Sequence, residues 1–543
     1  MSDNRYDYIV VGSGSSGGVL AGRLSENGKY KVLCLEAGEK GPDYILSRPP
    51  AAVKYLLNSK VDWQYNSKPD KSHGDRSIYV PRGKMLGGTS SINGVIVDRG
   101  QRVDYDTWAQ KGCRGWSYDD VLPYFKKLEA TELGSNELRG RSGPIRVTQA
   151  SKLSPFYDLL IKSAEAVGIP HNPDYNGTTH EGVAMTQQNV YRGFRQSTAT
   201  QYIKPARKRP NLTVIAGAEA TSLILEGKRC VGVRFRHGGR MKEAHAQREV
   251  VVSCGAANTP KLLELSGIGN PDILAQHGIA VTHALNGVGE NLREHYGLRL
   301  TWRFNRPGIS IAKHGSGWRL AREVLRFLIF RTGFIAHPMG TIRVVTRSRP
   351  ELDGPDILMY CAPFIVDVQG GKARRMSPIE GFYMLPHVQR TESTGSIHIG
   401  SADPFAPPVI NFKFLETPND RAVAIMGVRR AREIVEASPM AEMIAEELQP
   451  GKAVQTDEQI LDAIRNLGLI SHHMAGTCRM GPDPLAVVDD RLRVHGLQGL
   501  RVADASIMPT VTSGNTSIPC MMIGEKCADM MLTDAEKGSA APA

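Results

Sequence analysis

The amino-acid sequence predicts an α/β Rossmann-type domain that binds a dinucleotide, joined to an α+β domain built on an antiparallel sheet. Three observations carry this expectation. A glycine-rich turn separates an apolar strand from an amphipathic helix near the start of the chain. A second apolar strand, Glu249 to Ser253, runs into another glycine-led turn and helix. Between about residues 300 and 465 the texture changes to short alternating stretches such as Ser396-Ile397-His398-Ile399-Gly400, the period of strands with one wet face.

The first strand, Asp7 to Val11, is apolar and β-branched, as a strand buried on both faces should be. Gly12-x-Gly14-x-x-Gly17 follows, then a helical run with Val19, Leu20, Ala21 and Leu24, then a strand from Lys31 to Leu35 that ends at Glu36. Gly12 permits the tight turn, Gly14 lets backbone approach a pyrophosphate, and Gly17 lets helix and strand pack closely. The helix N-terminus offers free N–H donors to the phosphates. Glu36 can accept from both ribose hydroxyls and would repel a 2′-phosphate. The fingerprint leaves FAD and NAD both open, with Glu36-Ala37-Gly38 and the N-terminal position leaning to FAD. No second fingerprint and no Gly-x-x-x-x-Gly-Lys-Ser/Thr occurs downstream, which argues against a reductase carrying both FAD and NAD(P)H.

Asn211 to Ile215 reads as a further buried strand. After Ser253, the run Gly255 to Pro260 predicts a Gly-Ala turn, an Asn/Thr cap and a proline-started helix carrying Leu262, Leu263 and Leu265. Pro81 to Asn93, with three glycines and several hydroxyls, is an irregular loop. Its backbone could approach a flat ligand, and a long surface loop fits the same composition. Gly499 to Asp504 is a final strand, followed by a Pro/Thr/Ser/Gly-rich loop and a last helix from about Pro519. Trp318 to Arg331 is a basic amphipathic helix, with Arg319, Arg322 and Arg326 on one face and Ala321, Val324, Leu325 and Leu328 on the other. A core-facing stripe beneath solvated arginines is the ordinary reading of such a helix, and peripheral contact with a membrane is the other. The expected division is a discontinuous nucleotide-binding domain (1–155, 195–300 and 466–535), a substrate domain (156–194 and 301–465) and an unstructured tail (536–543).

A hydrophobic content of 41% and a charged content of 22% are ordinary for a globular protein. The net charge of +12 is scattered and accompanies no recognition motif, so nucleic acid is not an expected partner. It favours a neutral or anionic substrate over a cation. Eight cysteines show no Cys-x-x-Cys and no ligand spacing, which predicts reduced thiols and no metal site. The absence of a signal peptide and of any run near 20 apolar residues predicts a cytoplasmic protein, peripheral to the inner membrane if 318–331 makes the contact.

Five segments occur in a telling order: the Rossmann start, the Pro81–Asn93 loop, Gly255 to Gly269, His473-Met-Ala-Gly-Thr477, and Asp504-Ala-Ser506. Together they resemble the glucose–methanol–choline (GMC) oxidoreductases, flavoenzymes that oxidise alcohols. The resemblance spans about residues 5 to 533 and lies nearest the bacterial choline-dehydrogenase-like branch. It implies that Gly12, Gly14, Gly17 and Glu36 hold the ADP half of FAD. Gly88, Thr89 and Asn93 would lie against the ribityl chain and isoalloxazine, Ala220 would touch adenine through its backbone, and Asp504 and Ala505 would bind the ribityl–phosphate region. Covalently flavinylated relatives carry a histidine where this chain has Ile92, so the resemblance implies non-covalent FAD.

The same pattern selects His473, not His472, as the catalytic base and Asn515 as its partner. A histidine near its ordinary pKa can take the hydroxyl proton at neutral pH. Asn515 can donate to the developing alkoxide while a hydride leaves for the flavin. Adjacent histidines project differently and lack carboxylate or cysteine partners, so His472 and His473 are not read as a metal site. In quaternary-ammonium relatives an acid holds the cation shortly before an Arg-Ser pair; gapless matching to Thr341–Ser348 puts Thr341 there. The expected substrate is therefore a neutral aliphatic or aromatic primary alcohol, not choline, reoxidation being by O₂ or a quinone-like acceptor. The alternatives are an O₂-using oxidase of the same family and a lyase that keeps FAD as structure.

Overall fold

The computed structural model of the chain describes residues 4–338, 340–369 and 372–539. A seven-stranded sheet frames one half of it. Leu212–Ala216, Val32–Glu36, Arg5–Val11 and Arg240–Val252 lie side by side in parallel, with Leu500–Val502 parallel to the last. Val11 is level with Leu35 and Val252, and Val252 with Val502, so the carboxyl ends of these strands open along one edge. Ile9 and Val10 are buried on both faces, which explains their unbroken apolar run. The Arg240–Val252 strand does two jobs. Its first half pairs antiparallel with Gly232–His237 and its last four residues pair parallel with Tyr8–Val11.

The second sheet has eight strands, paired antiparallel throughout. Its order is Ile444–Gln449, Leu300–Phe304, Gly381–Val388, Ile357–Ala362, Ile342–Thr346 and Gly182–Met185. Tyr296–Gly297 and Leu469–Ile470 join it at the side of Gly381–Val388. The expected boundaries at 300 and 466 therefore cut through this sheet, because both short strands fall on the nucleotide side of them. Ser396–His398 is antiparallel as its alternation predicts, but it pairs with Val409–Asn411 in a separate ladder against the Gly255–Leu265 helix.

Three further expectations are corrected. The helix expected to start at Pro260 starts at Gly255, with Pro260 inside it. Proline has no N–H for the carbonyl four residues back. That carbonyl belongs to Ala256, and it accepts instead from the Thr477 hydroxyl at 2.7 Å. The last helix runs Ser517–Ser539 and so takes in 536–539 of the expected tail; 540–543 lie outside the described residues. The Gly317–Phe330 helix does not turn its apolar stripe inward. It buries Glu323 and Phe327, whereas Leu325 and Leu328 are 56% and 57% exposed.

His398 ties its ladder to the helix beside it. Its ring faces Glu264 at 2.7 Å and Glu290 at 3.1 Å. Burial opposes its protonation, but the two carboxylates outweigh burial and hold its pKa up at about 9, above the ordinary 6.5. The stabilisation is therefore complete below pH 6.5 and is lost as pH rises through 9. The thermal midpoint of the wild type should fall across that window, and His398→Gln should flatten the fall; parallel curves for the two proteins would contradict the assignment.

Candidate active site

A cleft of about 2000 Å³, open mouth included, lies along the carboxyl ends of the parallel strands, where ligands of open α/β sheets bind. Gly12, Gly14, Glu36, Gly88, Thr89, Asn93, Ala220, Asp504, Ala505, His473 and Asn515 all line it. Gly17 does not; it packs helix on strand, since a Cβ there would collide with the Gly12 carbonyl. Gly12 has a φ of +92°, and a Cβ on it would sit 2.5 Å from the Ser253 oxygen. A Cβ on Gly14 would meet nothing within 4 Å, so that backbone faces open space.

The polar groups of the cleft wall are mostly fixed by the protein itself. Glu36 accepts from the Ser13 N–H (3.1 Å) and hydroxyl (2.7 Å) and from the Gly38 N–H (2.9 Å). Asn93 accepts from Arg195 at 2.6 Å and donates to the Ser517 hydroxyl at 3.2 Å. Thr89 accepts from the Gly83 N–H at 3.1 Å. Asp504 accepts from the Gly255 N–H and the Thr259 hydroxyl on one oxygen and from the Ser506 N–H on the other. Its carboxylate is first a tie between the last strand and the helix at 255. Thr516 and Ser517, at the start of the last helix, also line the cleft, so the positive end of that helix opens onto it.

His473 and Asn515 meet at the cleft wall. The Asn515 Nδ2 lies 2.8 Å from the His473 Nε2. His473 is held by its own N–H, which donates to Glu294 at 2.7 Å, and by antiparallel bonds between Arg293 and Ala475. Its Nδ1 is 2.9 Å from the Nδ1 of His295, and the Nε2 of His295 is 2.8 Å from the Gln389 carbonyl.

These contacts fix every proton along the row. A carbonyl only accepts, so His295 carries its proton on Nε2. Burial holds His295 down at about 4, so it is neutral at pH 7 and its Nδ1 is a bare acceptor. His473 must then donate through Nδ1 and present a lone pair at Nε2. Asn515 offers an N–H to that lone pair, and its Oδ1 accepts from the Tyr360 hydroxyl. The expectation that His473 titrates near its ordinary value is corrected: burial, aided by His295 and His387, pushes its pKa well below 6.5. Glu294 behind it is pushed up to about 7 by the same burial, opposed by Arg82.

The GMC oxidoreductase family profile matches residues 6–297, and its C-terminal counterpart matches 391–524. The chain belongs to this family. An oxygen-dependent choline dehydrogenase of Brucella suis biovar 1 is 39% identical over 531 residues, covering 97% of this chain and 95% of the relative. Among solved structures, pyridoxine 4-oxidase from Mesorbium loti superposes with a TM-score of 0.85 at 28% identity, covering 96% and 98% of the two chains. A point variant of the formate oxidase of Aspergillus oryzae RIB40 gives 0.90 at 27%, covering 98% and 99%. The GMC protein is thus an FAD-dependent oxidoreductase acting on CH–OH donors.

Its cleft fits that cofactor: the bare Gly14 backbone, the buried acid that ends the second strand and the helix end at 517 would offer a pyrophosphate seat, a ribose acceptor and a positive pole. Sequence reasoning missed His295, Tyr360, Glu294 and Arg195, none of which stands in a recognisable spacing. Only the adjacency of Glu294 and His295 was there to see.

Removing His295 frees the His473 ring to take the other tautomer. His295→Leu should keep its FAD absorbance yet reduce the flavin about 10²-fold more slowly with an alcohol, within the range of general-base effects. His295→Asn, which can still accept from Nδ1, should lose less. Equal rates in stopped-flow for all three proteins would remove His295 from the positioning role.

Proposed function

We propose that this GMC protein oxidises a neutral aliphatic or aromatic primary alcohol to the aldehyde, with FAD bound non-covalently. The observation that carries the reading is the His473–Asn515 contact at the wall of the dinucleotide cleft. The hydroxyl proton goes to the His473 Nε2 lone pair, and the resulting imidazolium keeps its Nδ1–H on His295. Asn515 turns its N–H to the alkoxide oxygen, while Tyr360 keeps the amide from rotating away. FAD, when bound in the cleft, would supply the hydride acceptor. Ile92, buried against the cleft, offers no nucleophile for a covalent link.

The relatives named for choline suggest a cation, but the charges of the cleft favour a neutral substrate. Its lining carboxylates are Glu36, Glu219 and Asp504. The first and third are engaged as above, and Glu219 lies 3.6 Å from Lys84 and 3.4 Å from Arg236. Asp98, packed behind Gly514, is already paired with Arg343, and its other oxygen lies 2.9 Å from the His180 Nε2. Thr341 is buried with its hydroxyl 2.9 Å from that of Tyr157, and is not part of the cleft lining. For the acceptor, O₂ stands beside a quinone-like molecule, because the similar proteins are named oxygen-dependent or oxidase.

Neutral primary alcohols should bleach the oxidised protein anaerobically, and admitted oxygen then tests the acceptor. Saturable oxidation of choline with comparable neutral alcohols inert would overturn the substrate assignment. His473→Ala should retain FAD and lose roughly 10²–10⁴-fold in reduction rate. Acid precipitation should leave the yellow colour in the supernatant; colour that stays with the pellet would mean a covalent bond.

A further inference from the structure

We propose that the outward face of the Gly317–Phe330 helix, with the adjoining segment from Ile45 to Tyr55, seats this protein on a bilayer surface rich in anionic lipid headgroups. Trp318, Leu325, Leu328 and Ile329 fall on one stripe of the helix and are 68%, 56%, 57% and 60% exposed. Glu323 and Phe327 hold the opposite side to the protein. Isolated apolar side chains on a surface are ordinary, but a contiguous stripe marks a contact.

The patch continues across the fold. Phe194 lies edge-on to Phe327 at 5.8 Å, with the guanidinium of Arg48 over its ring at 4.3 Å and that of Arg331 at 4.9 Å. Arg48 belongs to the segment that exposes Ile45 (74%) and Tyr55 (58%). The turn Pro50–Ala52 also packs against Phe334–Ala336, just after the helix.

Charge selects the occupant. Arg319 and Arg322 flank the stripe with their guanidinium groups 5.6 and 5.8 Å from the Trp318 ring, and neither has an ion-pair partner among the described residues. An apolar stripe rimmed by unpaired arginines and carrying an exposed tryptophan matches an interfacial helix, with its apolar side in the acyl boundary and its cations at the phosphates. Among the described residues no helix is long and apolar enough to cross a membrane, so the element lies on the bilayer instead of spanning it. The seat borders the cleft, since Val53 of the same segment and Leu57 just beyond it line the cleft.

The holoenzyme should pellet with vesicles containing phosphatidylglycerol, less with pure phosphatidylcholine, and less as salt rises. Leu325→Asp/Leu328→Asp and Arg319→Glu/Arg322→Glu should each weaken binding at least about tenfold, with FAD content and turnover of a water-soluble alcohol unchanged. Wild-type protein left in the supernatant with phosphatidylglycerol vesicles overturns the proposal, as does either double variant binding like wild type. Sedimentation velocity without lipid separates the remaining occupant: a dimer that both variants dissolve would make this face a contact between two copies and sink the bilayer assignment.

Discussion

The hydrogen bond from the Thr477 hydroxyl to the Ala256 carbonyl holds the two halves of the cleft in register. Proline at 260 withholds an N–H from that carbonyl, and a side chain from a distant part of the chain takes its place. Beside it, the Gly476 N–H donates to Ala505 and the Cys478 N–H to Ser506. On its other side the same stretch pairs through Ala475 with Arg293 and through Ser471 with His295. Residues 471–478 are therefore stitched to the ends of the parallel strands and to the margin of the antiparallel sheet at once. His473 stands between the two seams, and its position relative to the glycine turn is set by backbone bonds on both sides. Such placement matters more than the intrinsic strength of a base, because a reacting group misplaced by an ångström forfeits most of its effective concentration.

The second constraint is electrical. Tyr360, Asn515, His473, His295 and the Gln389 carbonyl form one row in which each link has a donor and an acceptor. The row has a direction because its far end is a carbonyl. Turn the Asn515 amide over and two lone pairs would face each other at 2.8 Å; protonate His295 and two donors would face each other at 2.9 Å. Burial makes either fault costly, since an unpaired polar group in a dry site loses its full hydration. The low pKa of His295 and His473 is thus the counterpart of a fixed tautomer, and it keeps His473 a neutral acceptor at physiological pH.

What could be read from the sequence divides along the same line. The glycine fingerprint and Glu36 were legible because strand, turn and helix are contiguous and each residue answers to a local backbone requirement. His473 and Asn515 were legible through the order of the motifs they stand in. The helix start at Gly255 was not, because the group that makes Pro260 tolerable is Thr477, which no local pattern announces. His295 and Tyr360 were hidden for the same reason: what they do is defined by partners far along the chain. In the Gly317–Phe330 helix the period was plain and its meaning was not. Periodicity says that one face is apolar; only packing says whether that face meets protein, and here Phe327 and Glu323 occupy the contact instead.

These features converge on the segment from residue 45 to 57. Its Ser47 carbonyl accepts from the buried Arg195, whose guanidinium also reaches Asn93 in the cleft wall. Burial lowers the pKa of that arginine to about 9, still well above neutrality, so it remains a cation locked between the surface segment and the Pro81–Asn93 loop. Ile45 faces outward while Val53 and Leu57 face the cleft. One short stretch of chain is thus exterior surface at one end and cleft wall at the other, and a buried cation couples the two. The exposed Ile45 and the cleft-lining Val53 and Leu57 thus stand within one short run of chain.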